Sequence, residues 1–366
     1  MAGRIVVFGA TGYTGRLASE ALVRRGARPV LAGRTAARLE ALAAELGGLE
    51  TAVADVARPE SVRALVQRGD VLLSTVGPFA RWGAAAAEAA VDAGAHYLDS
   101  TGEPPFIREV FERYGPAAER AGCAMFTAFG YDWVPGNLAG GLALDTAAGE
   151  ASRVDTGYFF TGDAGNGMSG GTRASVATGL SAPGFAWRDG RIVNERGARK
   201  FRTFEIDGKQ RPAVTVGASE NYALPRIAPG LREVNSYLGW FGPMSRAMQG
   251  ISLVGSVAFK VPGAARLVDM TTSRFVKGST GGPDEQERAK SGSHIIGIAY
   301  DASGRSLAEV RVTGVNGYTF TAGILAWGAI RASEGALQGA GALGPVDGFG
   351  LAELRAGCAD AGLIAA

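Results

Sequence analysis

The sequence predicts an α/β protein, with a doubly wound parallel sheet in the N-terminal part and a second α/β domain with a largely antiparallel sheet after it. Between residues 5 and 128, short apolar segments alternate with segments whose apolar residues have helical spacing. This alternation is typical of parallel strands joined by helices. After residue 150, segments of alternating pattern flank turns such as Asp207-Gly208 and Asp301–Gly304, which indicates antiparallel hairpins.

The predicted strands are short apolar runs bounded by glycine, proline or polar residues. In the parallel sheet they are Ile5–Phe8, Arg28–Ala32, Glu50–Ala54, Val71–Thr75, a strand that begins at His96, and Ala124–Ala128. Helical patterns connect them, and a further helix from Asn137 leads out of the domain. In the second domain the predicted strands are Val154–Phe160, an Ala186–Asn194 hairpin, Phe201–Ile206, Ala213–Val216, His294–Tyr300 and Ser306–Gly314.

These elements predict a division of the chain into three segments. Residues 1–140 form a dinucleotide-binding domain, 141–315 form a substrate and oligomerisation domain of α+β type, and 316–366 are C-terminal helices that return to the first domain. Residues 241–275 are apolar and lack strand signals. A core helix or a homodimer contact explains them most simply, and a lid or groove for an apolar substrate is the alternative.

Composition excludes several classes of protein. The net charge of +2 gives no reason to expect nucleic acid as a partner. The chain has two cysteines, Cys123 and Cys358, and two histidines, so we expect neither a disulfide framework nor a metal site. No run of about 18 apolar residues predicts a transmembrane helix. The chain opens on a strand without a leader pattern, and we therefore expect a cytoplasmic protein.

A glycine-rich turn joins the first strand to the first helix. Its glycines have the spacing G-x-x-G-x-x-G, after an apolar strand and before a helical pattern. Glycine lets the backbone turn tightly and approach a phosphate, and the helix N-terminus offers free N–H donors to its charge. We therefore predict that this turn binds the pyrophosphate of a dinucleotide. Its predicted contacts are Gly9, Thr11, Gly12, Tyr13, Thr14 and Gly15.

The residues after the second strand predict which dinucleotide binds. An NAD site usually has Asp or Glu here for the ribose 2′-OH, whereas an NADP site has Arg for the 2′-phosphate. This chain has Arg34, with Thr35 and Arg38 close behind. A guanidinium group can bind two phosphate oxygens at once. The sequence therefore favours NADP(H) over NAD(H), the alternative being that both arginines are merely solvated.

Polar or small residues follow three further strands at the predicted ligand-binding edge of the sheet. Asp55 follows the third strand and can either accept a hydrogen bond from the adenine amino group or cap the next helix. The backbone of the loop after the fourth strand should run along the nicotinamide side of the cofactor, and a second loop lies at the same edge after the fifth strand. Their residues are Ser74, Thr75, Val76, Gly77, Pro78 and Phe79 after the fourth strand, and Ser100, Thr101, Gly102 and Glu103 after the fifth.

The candidate catalytic residues follow the sixth strand. Hydride addition to a C=C bond conjugated to a carbonyl leaves an enolate, which a proton donor can stabilise. Tyr131 is the first candidate for this role and Asp132 the second. Ser169, Thr172 and Arg173 follow a glycine-rich stretch at the start of a predicted helix, where they could bind a substrate carboxylate or carbonyl. Capping of that helix is the simpler explanation.

Six motifs in the same order resemble those of the saccharopine dehydrogenase-like oxidoreductases. They are G-A-T-G-Y-T-G-R at 9–16, L-A-G-R at 31–34, S-T-V-G-P-F at 74–79, H-Y-L-D-S-T-G-E at 96–103, G-Y-D-W-V-P at 130–135 and S-G-G-T at 169–172. Within this family the chain resembles the trans-acting enoyl reductase branch. The resemblance implies a Rossmann domain, a second α/β domain and hydride transfer from a nicotinamide cofactor.

The predicted function is an NADP(H)-dependent reduction of an activated double bond. A trans-acting enoyl reduction of a polyketide or related small molecule comes first, with an apolar substrate that a carrier could present. One alternative is saccharopine-reductase-like C=N reduction of an amino-acid adduct, for which Arg173, Arg199, Lys200 and Arg202 could supply cations. Another is an NADP(H)-binding sensor or scaffold without turnover. A short-chain dehydrogenase would need Tyr-x-x-x-Lys, and no tyrosine here has lysine four residues later.

Overall fold

The computed structural model describes residues 3–162, 184–247, 249–250, 252 and 281–366. Contacts between Cα atoms divide the chain into two units. The first unit comprises residues 1–101, 106–134 and 317–362, and the second comprises 102–105, 135–316 and 363–366. The predicted substrate-binding residues Ser169, Thr172 and Arg173, and most of 241–275, lie outside the described residues.

The first unit is built on a parallel seven-stranded sheet of order β15-β6-β5-β4-β1-β2-β3. The strands are β1 (Ile5–Phe8), β2 (Val30–Gly33), β3 (Thr51–Val53), β4 (Val71–Ser74), β5 (His96–Asp99), β6 (Ala124–Phe126) and β15 (Gly341–Ala342). All residues of β1, β2 and β4 are buried. This explains the unbroken apolar runs, because helices cover both faces of such a sheet. Strand order reverses next to β1, where such sheets bind their ligands.

Helices connect the strands of this sheet. They are α1 (Tyr13–Arg24), α2 (Ala36–Glu45), α3 (Pro59–Arg63), α4 (Phe79–Trp82), α5 (Ala84–Ala93), α6 (Pro104–Glu109), a π-helical turn (Val110–Tyr114) and α7 (Gly115–Ala121). Helix α1 buries Ala18, Ala21 and Leu22, which have helical spacing. Helices α4 and α5 are separated by Gly83.

The second unit holds a mixed sheet of nine strands among the described residues, with the main order β10-β11-β12-β7-β13-β14-β16 and with β8 and β9 beside β12. Its strands are β7 (Arg153–Gly162), β8 (Phe185–Arg188), β9 (Arg191–Asn194), β10 (Phe201–Ile206), β11 (Lys209–Val216), β12 (Glu233–Leu238), β13 (Ser291–Tyr300), β14 (Ser306–Gly314) and β16 (Leu363–Ala365). The pairing is antiparallel except between β12 and β7. The sheet is thus largely antiparallel, as the sequence predicts.

The second unit also contains helices α8 (Val134–Thr146, which begins in the first unit), α9 (Glu220–Ile227), a 3-10 turn (Gly242–Met244) and α10 (Glu285–Ala289). One apolar cluster joins Leu144 and Leu224 of these helices to Val154 and Val234 of the sheet. A second cluster of aromatic and branched side chains includes Phe159 and Phe204, whose rings lie 5.4 Å apart. The sequence did not predict α9 or β12, since neither has a periodic pattern long enough to stand out.

The remaining helices belong to the first unit and are α11 (Gly317–Ser333), α12 (Pro345–Phe349) and α13 (Leu351–Asp360). Helix α11 is buried along most of its length and packs on α1 and on β1, β4 and β5. Because it is apolar on most sides, it belongs in a core. The chain therefore returns to the first unit after the second sheet, with β15 added at the edge of the parallel sheet.

Candidate functional site

The glycine-rich turn has a geometry that only glycine permits at two of its positions. Gly9 has φ +92°, in the region that favours glycine. A Cβ atom on Gly15 would lie 2.2 Å from the Gly9 carbonyl oxygen and 2.8 Å from Thr75 Oγ1. Gly12 is the residue before α1 and has extended backbone. The turn thus brings bare backbone to the N-terminus of α1, where the first N–H groups have no acceptor within the helix.

Hydrogen bonds hold this turn against the ends of two strands. The N–H groups of Gly9 and Ala10 donate to the Ala32 carbonyl at 2.9 and 3.1 Å. The Thr75 hydroxyl donates to the carbonyls of Phe8 and Gly9 at 3.3 and 3.2 Å. Thr75 therefore braces the turn through its side chain, a role that the sequence did not indicate. Among the other predicted contacts, Thr11 is exposed, and Tyr13 and Thr14 are half-buried at the first turn of α1.

Two exposed cations follow β2. Arg34 and Arg38 are exposed, and neither guanidinium has a hydrogen bond or ion pair with any other described residue. By contrast, Arg16 at the glycine turn is bound to Glu20 and Glu45. A cofactor phosphate would therefore meet free guanidinium groups at Arg34 and Arg38, beside the exposed Thr35 that precedes α2. These residues fit the 2′-phosphate of NADP(H).

Asp55 is engaged in a local turn. Its Oδ1 accepts a hydrogen bond from the Ala57 N–H at 3.0 Å, and its own N–H donates to Ser61 Oγ at 3.0 Å. The carboxylate thus caps the turn ahead of α3, while the residue itself is only half-buried. The predicted adenine contact remains a prediction, for which Asp55 Oδ2 is the available acceptor.

The loop after β4 divides into buried and accessible parts. Ser74 is buried, and the Phe79 ring is buried against Phe106 with 5.7 Å between ring centres. Both side chains therefore belong to the core, and only their backbone could border a ligand. Thr75, Val76 and Pro78 are half-buried, and Gly77 is exposed. These four are the accessible residues of the loop.

Asp99, at the end of β5, fastens two loops at the ligand-binding edge. It is fully buried, and its Oδ1 accepts hydrogen bonds from the N–H groups of Thr101 at 2.9 Å and Ala128 at 2.8 Å. Burial raises the pKa of its carboxyl to about 6, although these N–H donors act in the opposite direction. Tyr97 lies on the same face of β5, and burial next to Asp99 raises the pKa of its phenol.

The predicted contacts after β5 differ in accessibility. Ser100 and Gly102 are half-buried, whereas Thr101 and Glu103 are buried. Gly102 and Glu103 belong by their contacts to the second unit. Only Ser100 and Thr101 therefore remain in the first unit as candidates for the cofactor. His96, at the opposite end of β5, accepts a hydrogen bond from the Ala124 N–H through Nδ1, which is a structural role.

The turn after β6 carries the two candidate catalytic residues. Tyr131 is buried, and its N–H donates to the Thr321 hydroxyl at 3.0 Å. Asp132 is half-buried, but its Oδ1 atom is buried and has no hydrogen-bond partner among the described residues. Burial raises the pKa of the Asp132 carboxyl to about 7. A carboxyl with such a pKa is protonated in an appreciable fraction of molecules at neutral pH and can donate a proton.

Neither a metal site nor a membrane-spanning helix occurs among the described residues. No group of three or more His, Cys, Asp or Glu side chains in this part of the chain could hold a metal ion. In the same residues, no helix has the length and apolar character that crossing a bilayer requires.

Comparison with solved structures identifies the overall fold. The chain aligns over its whole length with apo saccharopine dehydrogenase (L-Glu forming) from Saccharomyces cerevisiae, covering 100% of this chain and 99% of the other. The TM-score is 0.61 and the sequence identity 13%. At that identity the likeness shows a shared fold, with a Rossmann sheet and a second mixed sheet.

Sequence comparison adds two relatives from mycobacteria. A Mycobacterium tuberculosis protein, whose name gives it provisionally as a trans-acting enoyl reductase, is 39% identical over 188 residues, which is 48% of this chain and 44% of the relative. A trans-acting enoyl reductase of Mycobacterium ulcerans is 38% identical over 140 residues, 37% of this chain and 34% of the relative. The matched part thus spans less than half the length of either relative.

A family model matches the part of the chain that contains the glycine turn, Arg34 and the loops after β4 and β5. It is the model of the saccharopine dehydrogenase NADP-binding domain, and it covers residues 5–125. This match agrees with the free arginines after β2 and with the resemblance in the sequence motifs. Residues 5–125 therefore match the NADP-binding domain of the saccharopine dehydrogenases.

Proposed function

We propose that the protein is an NADP(H)-dependent reductase of activated C=C bonds, acting as a trans-acting enoyl reductase on a polyketide or related acyl substrate. The observation that carries this proposal is Asp132, an acid on the loop after β6 with a buried oxygen that has no hydrogen-bond partner among the described residues. In an open parallel sheet, the ligand binds outside the carboxyl ends of the strands. The acid thus follows a strand of the same sheet in which the residues proposed to bind NADP(H) follow β1 and β2.

In the proposed mechanism, the glycine turn would hold the pyrophosphate of the reduced cofactor, and Arg34 with Arg38 would hold its 2′-phosphate. When bound there, the cofactor would supply the hydride for the electron-poor β-carbon of the substrate. Asp132 then gives its proton to the α-carbon, so that the C=C bond becomes a C–C bond and the carboxylate is left behind. Water reprotonates that carboxylate. The raised pKa of Asp132 supports this role, because a general acid works best when its pKa is near the working pH.

Asp132 is preferred here to Tyr131 as the proton donor. The Tyr131 residue is 5% exposed, and its ring packs closely on α11, where a Cβ on Gly317 would come 3.0 Å from the ring carbon Cγ. That packing favours a structural role for the ring. The Asp132 residue is more exposed than Tyr131, and its Oδ1 atom accepts no hydrogen bond from any described group.

The charges of the second unit do not favour imine reduction of an acidic adduct. Such a substrate needs free cations in its pocket. Arg202 is paired with Asp155, Lys200 with Glu233, and Arg199 lies 3.5 Å from Glu195. Arg173 is outside the described residues. Each described cation named for this alternative thus already lies within ion-pair distance of a carboxylate.

The test is cofactor oxidation with enoyl thioesters, measured for the wild type, Asp132→Asn and Tyr131→Phe. We expect turnover by the wild type, a loss of about 100-fold or more in kcat for Asp132→Asn, and a loss of less than about tenfold for Tyr131→Phe. Turnover of imines but not of enoyl thioesters would establish the C=N reductase instead. NADPH binding without turnover of either class would indicate a sensor or scaffold. Unchanged turnover in both variants would exclude this assignment of the chemistry.

A further inference from the structure

The first turn of α11 touches the turn that carries Asp132. Thr321 lies one helical turn after Gly317 and is 8% exposed. Its hydroxyl accepts a hydrogen bond from the Tyr131 N–H at 3.0 Å and donates one to the Gly317 carbonyl at 2.8 Å. The hydroxyl therefore both accepts and donates a hydrogen bond, and the bond to the Gly317 carbonyl sets its orientation.

Close packing accompanies these hydrogen bonds. A Cβ atom on Gly130 would lie 3.0 Å from the Thr321 methyl carbon, so the backbone just before Tyr131 rests directly on this side chain. The other end of the turn is bound to its own loop, with the Trp133 N–H donating to the Ala128 carbonyl at 2.8 Å. Thr321 thus binds the backbone of Tyr131, the residue immediately before the candidate acid Asp132.

The same helical turn also meets the phosphate-binding side of the domain. Tyr318 packs edge-to-face on Tyr13, with 5.2 Å between ring centres. Tyr13 is the first residue of α1 and directly follows the glycine turn. The start of α11 is therefore in contact with both the first turn of α1 and the turn that presents Asp132.

We propose that Thr321 is a positioning residue for the reaction. Its hydroxyl holds the Tyr131–Asp132 turn on α11 and so fixes where the Asp132 carboxyl lies relative to the glycine turn. The proposal rests on the proposed function for the role of Asp132. Without the hydroxyl, the buried Tyr131 N–H loses its acceptor, and the turn can relax toward water. Small displacements of a reacting group lower the rate strongly, since proton transfer needs hydrogen-bond distance.

The test compares three variants with the wild type. Thr321→Val keeps the branched shape and removes the hydroxyl, Thr321→Ser keeps the hydroxyl, and Thr319→Val makes the same change at an exposed position of the same helical turn. We expect Thr321→Val to lower kcat by about tenfold or more while the KM for NADPH changes less than about twofold. Thr321→Ser and Thr319→Val should stay within about twofold of the wild type in both quantities.

A second measurement needs no turnover. The pKa of the Asp132 carboxyl is followed by NMR of carboxyl-labelled aspartate, with the signal assigned by its loss in Asp132→Asn. In Thr321→Val we expect this pKa to fall by about one unit, because water then reaches the carboxyl and stabilises its charged form. In Thr321→Ser and Thr319→Val it should not move. NADPH binding, followed by its fluorescence, shows that each variant is folded.

The outcomes separate this inference from the proposed function. If the wild type reduces no enoyl thioester but Thr321→Val still lowers the Asp132 pKa, the positioning of Asp132 by Thr321 stands and the proposed reaction falls. If Thr321→Val binds NADPH and leaves both kcat and the Asp132 pKa unchanged, the inference is overturned. A loss of kcat that Thr321→Ser shares in full also overturns it, since the hydroxyl is then not what matters.

Discussion

Replacing Asp132 by Asn should change how the stability of the protein depends on pH. The ordinary pKa of an aspartate is 3.8, and burial raises that of Asp132 to about 7. Between these values the folded protein retains a proton that the unfolded chain releases. Since the folded state binds more protons, the free energy of unfolding decreases as the pH rises from about 4 to about 7. Asn carries no titratable proton, so this contribution disappears in the variant.

The size of the effect follows from the shift. One pH unit corresponds to about 1.4 kcal/mol, so the two units between pH 5 and pH 7 give an upper value of about 3 kcal/mol. Asp132 is half-buried as a residue, and partial solvation reduces this figure. From pH 5 to pH 8 we expect the wild type to lose about 1 to 3 kcal/mol more stability than Asp132→Asn. Asp99, whose pKa is also raised, is present in both proteins and cancels.

The assay is urea unfolding at pH 5 and pH 8, followed by tryptophan fluorescence, for the wild type, Asp132→Asn and Asp145→Asn. Asp145 is exposed on α8, so its replacement by Asn controls for the loss of a carboxylate as such. Between pH 5 and pH 8 the free energy of unfolding should fall by the same amount in the wild type and in Asp145→Asn. In Asp132→Asn it should fall less. Parallel behaviour of all three proteins would refute the reasoning, because Asp132 would then be ionised throughout this range.

Three further predictions concern the cofactor site. Arg34→Ala should weaken NADPH binding by about 10- to 100-fold and leave NADH binding unchanged. Arg24→Ala, at another exposed arginine, should change the binding of neither cofactor. Both are measured by titration of cofactor fluorescence, and equal losses of NADPH and NADH binding would contradict the 2′-phosphate assignment. Gly15→Ala should abolish NADPH binding and lower Tm, because its Cβ would lie 2.2 Å from a carbonyl oxygen. The Cβ of Gly230→Ala would lie 3.7 Å from its nearest neighbour, so this control should bind NADPH normally in the same titration. Retained binding in both variants would disprove the close approach. Asp99→Ala should lower the free energy of unfolding by about 2 to 4 kcal/mol, since two buried N–H groups lose their acceptor. Asp99→Asn keeps an acceptor oxygen, so its free energy of unfolding, measured in urea, should fall less. Equal losses in the two variants would mean that the charge matters instead.

Much of the first unit could be predicted because its signals are local. The apolar run Ile5–Phe8 is the observed β1, and the glycines after it end the strand where the turn occurs. Arg34 could be proposed as a phosphate ligand from its place after β2 alone, and this assignment stays a prediction. The second unit was less predictable. Its sheet pairs β12 with β7 in parallel, across a long stretch of chain, and β12 has no pattern that distinguishes it from a loop.

The site was predicted at the level of positions along the chain but not of side-chain roles. The sequence predicts that the backbone of residues 74–79 borders the cofactor, and only the structure shows that the side chains of Ser74 and Phe79 are in the core. It gave Tyr131 precedence over Asp132, and the burial that raises the Asp132 pKa reverses this order in our proposal. It assigned Asp99 no role, although Asp99 fastens two loops. Burial and hydrogen-bond partners depend on residues distant in sequence, so spacing does not reveal them.

The sequence by itself determined the fold class, the glycine turn and the preference for NADP(H), because each depends on neighbouring residues along the chain. Only the tertiary structure decided that Asp132 keeps a buried oxygen without a hydrogen-bond partner among the described residues, and which residue supports the turn that carries it. Tyr131 and Thr321 are 190 residues apart in sequence and 3.0 Å apart at their hydrogen bond. Such a contact exists because the chain folds through a second unit before α11 returns to pack on the parallel sheet.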